Sequence, residues 1–383
     1  MQISTASFAR ELSGLIRDLR NDTESQRRVA EPIVTQLKQL GLARMTLPAS
    51  LAGRECSTVE ALEVYEALAG AEASVGWVAW NNSLPCLFSR YLSAAARTEI
   101  FSNPNELHAN STRPSGTAVA DGNGYRVSGR WALVSGCELA EWLALMCVVR
   151  AQNEAAKPGP PETRLMFVRK GSFEILDTWH VGGLRGTGSH DVVVKDVFVP
   201  ARHSLSPADP SSLDHPIARV PILATLSAGF AAQTIGVAQL ALDTVLHLAK
   251  SKITPDPVPD LRDRAASQSG FAELSSALNA TRAHLHRSVG NVWDKAVATA
   301  PITLQDITEV YSAALVADQL SIRTVDTMYA IGGTTSIYMN CPLERAHRDI
   351  HTMARHVIAQ PTWLEDAGRV KFGLTPTNQL YAV

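Results

Sequence analysis

The chain of 383 residues has no excess charge of either sign: 35 lysines and arginines against 37 aspartates and glutamates give a formal net charge of −2. That leaves no electrostatic case for a nucleic-acid or anionic-membrane partner. Cysteine is scarce. Cys56, Cys86, Cys137, Cys147 and Cys341 are scattered with no C-x-x-C pair, so neither a zinc site nor a disulfide framework is expected. The opening Met1-Gln-Ile-Ser-Thr-Ala6 lacks the basic stretch and apolar run of a secretory leader. The apolar stretches read as too short or too interrupted to span a bilayer. No internal repeat or long low-complexity tract is visible, and no Gly-x-Gly-x-x-Gly follows a strand, so NAD(P)H is not expected to bind here. These absences point to a cytoplasmic enzyme with no metal, no membrane and no nucleic-acid partner.

What is present changes character twice along the chain. Residues 1–105 are rich in Ala, Leu, Glu and Arg at helical spacing, as in Leu12, Leu15, Ile16 and Leu19, then Val34, Leu37 and Leu40. Gly41 reads as the residue that ends one helix and Ser57-Thr58-Val-Glu60 as the capped start of another. Residues 106–212 switch to a period of two. Tyr125, Val127, Trp131 and Leu133 alternate with polar or small residues, Asp121-Gly-Asn-Gly124 is a turn, and Leu143 to Val149 is a buried apolar run. Residues 213–383 return to long helical patterns, broken at Pro255-Asp-Pro-Val-Pro259 and at Cys341-Pro342. The predicted order is therefore a helical domain, a β domain and a second helical domain. The densest signal lies in the middle one: Asp177-Thr-Trp-His-Val-Gly-Gly-Leu-Arg-Gly-Thr-Gly-Ser-His-Asp191 sits between strand-like runs at Phe173 and Ile175 and at Val192 to Val199. Gly182, Gly183, Gly186 and Gly188 interleave with Arg185, Thr187 and Ser189, which is the pattern of a turn whose backbone a ligand approaches closely.

Four motifs occur in order: Ala73-Ser-Val-Gly-Trp77; Gly124-Tyr-Arg-Val-Ser-Gly-Arg-Trp131 with Val134-Ser-Gly136; the segment from Trp179 to Ser189; and Arg345-Ala-His-Arg-Asp349 with His356. With the helix–β–helix order they resemble the acyl-CoA dehydrogenase fold, in which an N-terminal helical domain, a middle β-barrel and a C-terminal four-helix bundle follow one another. More narrowly the chain resembles the flavin-dependent monooxygenases on that fold. These are the oxygenase components of two-component systems, such as 4-hydroxyphenylacetate hydroxylase, the steroid-ring hydroxylase and dibenzothiophene monooxygenase. The resemblance implies reduced FMN or FAD delivered by a separate NAD(P)H-flavin reductase, dioxygen as co-substrate, a C4a-hydroperoxide, and an aromatic or heteroaromatic small molecule, phenolic or indolic, as acceptor. A homotetramer is implied as well. Two other activities stay open, an acyl-CoA dehydrogenase and an N-oxygenase of an amino sugar. Against the dehydrogenase, the stretch Ile350-His-Thr-Met-Ala-Arg-His356 carries no carboxylate where that family keeps its base.

The resemblance also assigns candidate residues. Ser135 would lie near the reactive edge of the flavin, where its hydroxyl can hydrogen-bond; on residue type alone it is a serine opening a strand-end turn. His356 would face the substrate from a C-terminal helix and take or orient a proton, with His347 and His351 as nearby decoys. Those two are four apart and could share a metal, but no third ligand is evident in the sequence. Asn110 aligns with a pocket position and equally suits a turn. Trp131, Leu133, Val134, Arg185, Thr187 and Ser189 are candidate flavin contacts. The glycine-rich loop at Gly332, Gly333 and Ser336 suits a flavin phosphate or ribityl chain, or simply joins two helices. Trp77 reads as core, whereas Trp80, Asn81 and Asn82 would line the substrate cavity as an aromatic wall with amides. Several phenol hydroxylases of the family have a histidine in that region. Its absence here counts against a simple phenol and is compatible with an indole-type or other fused ring.

Overall fold

In a computed structural model, residues 5–150, 161–251, 253, 259–378 and 381 are described. Six helices come first: α1 (Thr5–Asp18), α2 (Arg20–Ser25), α3 (Glu31–Gln39), α4 (Thr58–Ala71), α5 (Ala73–Phe88) and α6 (Ala94–Phe101). The local signals act as read. Gly41 follows α3 at φ +64°, and the Ser57 side chain accepts from the Glu60 N–H to start α4.

Among the described residues seven strands follow: β1 (Leu107–Asp121), β2 (Gly124–Val134), β3 (Ala140–Arg150), β4 (Thr163–Arg169), β5 (Glu174–Leu176), β6 (His190–Pro200) and β7 (Ser204–Leu205). They form one sheet in the order β5-β6-β2-β1-β3-β4-β7, so β5 and β7 are its edges. All neighbours are antiparallel except β1 and β3. The β1–β3 register slips between Ser111 and Gly116, and Thr112 to Ser115 stand exposed on the resulting bulge. Residues of five strands, among them Val127, Trp131, Leu143, Met166 and Val192, share one hydrophobic cluster. The sheet therefore coils around its own core.

Among the described residues five helices follow: α7 (Ile222–Ser251), α8 (Ala265–Val297), α9 (Leu304–Gly332), α10 (Pro342–Met353) and α11 (Thr362–Lys371). The break at 255–258 lies outside the described residues. Thr303 and Asp306 form a reciprocal capping box at α9. By length and composition α7 could cross a membrane, against the expectation from the sequence, yet 83% of its most apolar window is buried. It is the central core helix: Ile235, Val237, Ala241 and Val245 are covered within the chain, so its apolar face does not by itself call for a second subunit. The helical zones at the two ends share a single hydrophobic cluster. They are consecutive in sequence with the sheet but merged in packing.

Candidate active site

The site forms where α5, α7, the turn after β2, the glycine-rich turn before β6 and the segment after α10 meet. Ser135 follows β2, immediately after Leu133 and Val134. Leu133 is held at φ +62° and is 52% exposed. An exposed leucine in left-handed backbone is an unfavourable arrangement for an isolated turn, and it presents the Ser135 edge to the site. Ser135 itself is buried. Its Oγ accepts from Trp77 Nε1 at 3.0 Å and lies 2.7 Å from Ser189 Oγ. Ser189 Oγ is 2.6 Å from Thr187 Oγ1, which donates to the Leu184 carbonyl at 2.9 Å.

The last link fixes the direction of the whole chain. Each hydroxyl carries one proton. With Thr187 donating to Leu184, Ser189 donates to Thr187 and Ser135 donates to Ser189. Ser135 therefore meets a further group as an acceptor. Trp77 is the member that sequence reading left in the core; its role as donor to Ser135 follows from a contact 58 residues away.

The glycine-rich turn corrects an expectation. Gly183 and Gly186 admit helices rather than a ligand. A Cβ on Gly183 would sit 2.2 Å from the Arg348 carbonyl and 2.4 Å from Thr352 Oγ1, and one on Gly186 would sit 2.3 Å from Thr23 Cγ2. Leu184, between them, is left-handed at φ +52°. It is pinned by its N–H to Asp349 Oδ1 at 2.6 Å and by its carbonyl, which accepts from Trp179 Nε1 at 3.1 Å and from Thr187. Asp349 thus holds the turn instead of pairing with the arginines beside it. Burial, with Glu72 close by, pushes its carboxyl above the usual range. Arg345 pairs with Glu24 at 2.6 Å and Glu72 at 3.2 Å, and Arg348 with Glu24 at 2.9 Å and Glu344 at 2.6 Å. Arg185 is drawn into the same network, 3.6 Å from Glu24. The network locks α2, α10 and the turn together.

His356 does not lie on a helix. It follows α10 and caps the next turn, its Nδ1 accepting from the Ile358 N–H at 3.3 Å. That bond leaves the proton of the neutral ring on Nε2, which makes the free nitrogen a donor and not a base. The ring stacks on Phe230 at 5.7 Å and 24°, and meets the edges of Trp77 at 5.5 Å and Trp80 at 5.7 Å. Burial first, then the nearby positive charge of Arg113, push its pKa down to about 4. The expectation of an imidazole titrating near neutrality is therefore corrected. His347 and His351 lie elsewhere, on the α9 side of α10 with Asp326.

Trp80 lines an enclosed cavity with Thr46, Thr58, Tyr65 and Leu84; there its indole N–H and the two threonine hydroxyls have no protein partner. Asn82 is buried with neither amide atom bonded, and a Cβ on Gly136 would lie 2.9 Å from its Nδ2. Asn81 and Asn110 turn out to be structural. Pro85, inside α5, removes the N–H that would otherwise bond the Asn81 carbonyl. Asn110 Nδ2 donates to that freed carbonyl at 2.8 Å, with Asn81 Oδ1 at 3.2 Å. The Asn110 amide therefore braces α5 against β1. Trp131 is likewise corrected as a cofactor contact. It is fully buried in the sheet core, its indole donates to the Met146 carbonyl at 2.8 Å, and Gly116 and Gly129 are bare to make room for its ring. Val134 is buried in the same core. At the other loop, Ser336 Oγ donates to the Tyr329 carbonyl at 2.8 Å and fills the space beside Gly332. Gly333 alone, at φ +58°, has open space around it.

Comparison with known proteins gives the family and the fold. Residues 5–101 match the family described as Acyl-CoA dehydrogenase, N-terminal domain, and residues 228–361 match Acyl-CoA dehydrogenase, C-terminal domain. The chain is similar to an indole-3-acetate monooxygenase of Acinetobacter baumannii, 29% identical over 98% of this chain and 97% of that protein. It is also similar to the oxygenase component of an FADH2-dependent resorcinol hydroxylase of a Rhizobium species, 28% identical over 96% and 94%. Among solved structures, XiaF from a Streptomyces species in complex with FADH2 and glycerol superimposes with a TM-score of 0.90 at 25% identity, over 98% of this chain and 96% of that one. The 3-HSA hydroxylase from a Rhodococcus species gives a TM-score of 0.89 at 26% identity, over 99% of both chains.

Proposed function

The chain belongs to the acyl-CoA dehydrogenase family, in its flavin-dependent monooxygenase branch, and we propose that it oxygenates an indolic carboxylic acid as the oxygenase component of a two-component system. The observation that carries the reading is the pairing of Ser135, an acceptor at the end of a directed hydroxyl chain, with a neutral His356 set among Trp77, Trp80 and Phe230. The polar groups fit a flavin ring edge. Ser135 has an acceptor lone pair to spare, and Asn82 keeps an unpartnered amide beside the bare Gly136. Exposed Leu133 would pack on the ring face. Reduced FMN or FAD supplies the two electrons with which dioxygen gives one atom to the substrate and the other to water.

The residues of this chain do the rest. Ser135 orients the reactive edge by accepting a hydrogen bond, and the chain behind it fixes that orientation. His356 donates from Nε2 toward the reacting oxygen. Trp77, Trp80 and Phe230 exclude water and offer aromatic faces to a fused ring. No carboxylate is hydrogen-bonded to His356 among the described residues, which disfavours α-proton removal from an acyl thioester. The relatives named indole-3-acetate monooxygenase support an acidic indole, and so does Arg113. Arg113 is exposed on the β1 bulge and near enough to His356 to lower its pKa, and would pair with the substrate carboxylate.

Ile337, Tyr338 and Met339 are 61%, 63% and 71% exposed, and they support a homotetramer in which the loop at Gly332, Gly333 and Ser336 reaches a neighbour's flavin; a monomer by light scattering would overturn it. The five free, buried cysteines support a cytoplasmic setting; export of the full chain to an oxidising compartment would count against it.

Arg113→Met tests the substrate assignment. KM for indole-3-acetate should rise about tenfold or more, the equivalent of losing one charge-assisted hydrogen bond, while indole itself should be unaffected. An unchanged KM for the acid would remove Arg113 from the site.

A further inference from the structure

We propose a divalent transition-metal site formed by Asp326 of α9 with His347 and His351 of α10, taking a zinc-class ion that favours imidazole and carboxylate ligands. His347 and His351 are one helical turn apart and share a face. Sequence spacing showed that pair but not the third ligand, which lies on the preceding helix. The structure brings it in: Asp326 Oδ1 is 2.8 Å from His351 Nε2 and 3.4 Å from His347 Nε2. One donor atom from each of the three residues lies within 4.8 Å of the others. A tetrahedral ion with bonds of about 2.0–2.1 Å needs its ligands roughly 3.3 Å apart, so small side-chain rotations complete the set. Two helices fix the three side chains, and Tyr329 stacks on His347 at 4.4 Å between ring centroids, limiting the ring's freedom. Each side chain is about two-fifths exposed, which admits the ion from solvent and leaves coordination positions for water.

The site is separate from the Ser135 and His356 chemistry and does not depend on its assignment. Its consequence would be mechanical. The ion would fasten α9 to α10, the helix whose Asp349 and Arg348 hold the glycine-rich turn.

The test is metal titration of the full-length protein after chelator treatment. Zn2+ uptake is followed by competition with a chromophoric chelator, and Co2+ by its visible absorption. The wild type should take up one ion per chain, with a cobalt spectrum of the intense low-symmetry type. His347→Ala/His351→Ala and Asp326→Asn should each bind about tenfold more weakly or worse. His284→Ala, on α8, should bind like the wild type. Asp326→Asn keeps the side-chain volume, so its result stands even if the double variant is poorly folded by circular dichroism. No uptake at micromolar Zn2+, or a loss of less than tenfold in Asp326→Asn, would overturn the proposal.

Discussion

Ser135 and His356 reach the same site by opposite routes. Ser135 receives a proton contact from Trp77 and hands its own along Ser189 and Thr187 to Leu184. Thr187→Val keeps the shape and removes the hydroxyl to which Ser189 donates, which frees Ser189 and then Ser135 to rotate. Product per reduced flavin should fall, with hydrogen peroxide making up the difference. Ser135→Ala should lower it further and should also destabilise the protein by about 1–3 kcal/mol, because it orphans the Trp77 N–H. Coupling in Thr187→Val equal to that of the wild type would show that the chain does not orient Ser135.

His356 carries a depressed pKa of about 4, from burial and Arg113. A histidine depressed on folding contributes stability that is complete above its unfolded value of about 6.5 and is lost as pH falls toward the folded value. Its protonation should therefore leave kcat/KM flat between about pH 6 and pH 8. His356→Gln, which retains an N–H donor, should keep more activity than His356→Ala. A pH limb near neutrality that vanishes in His356→Gln would restore the general base that the ring geometry argues against.

Among the elements, the glycine-rich turn decides whether these residues are in place. Its glycines were legible as a cluster, and its strands as strands, because both signals are local. Their purpose was not, because it depends on α2 and α10 arriving from distant sequence. Gly182 and Gly183 separate the two explanations. Nothing lies within 4 Å of a Cβ on Gly182, whereas one on Gly183 would meet the Arg348 carbonyl at 2.2 Å. Gly182→Ala should change stability by less than about 0.5 kcal/mol. Gly183→Ala should cost about 1–3 kcal/mol or more by overpacking against α10, and should uncouple product from flavin as the turn shifts. Equal thermal midpoints for the two variants would refute the packing role. Pro85 teaches the same lesson. Pro85 lies within α5, but the partner of the carbonyl it frees, Asn110, comes from the sheet.

For the molecule as a whole, the succession of helices, strands and helices was readable from the switch in hydrophobic period. What period could not show is that the end zones fuse into one core around α7 while the sheet keeps another. The site lies at that junction, which is why Trp77, Phe230 and Arg113 escaped a reading made motif by motif: each is ordinary in its own segment and acts only through a neighbour more than 50 residues away. This junction directs oxygen from dioxygen into an aromatic substrate, using flavin reduced elsewhere. The most direct measurement is mass spectrometry of the product formed from indole-3-acetate or indole by the purified protein, with chemically reduced FAD or FMN, under isotopically heavy dioxygen. One heavy oxygen atom is expected in each product molecule, and no product when NADH replaces the reduced flavin. Product oxygen drawn from water, or turnover on NADH alone, would contradict this function.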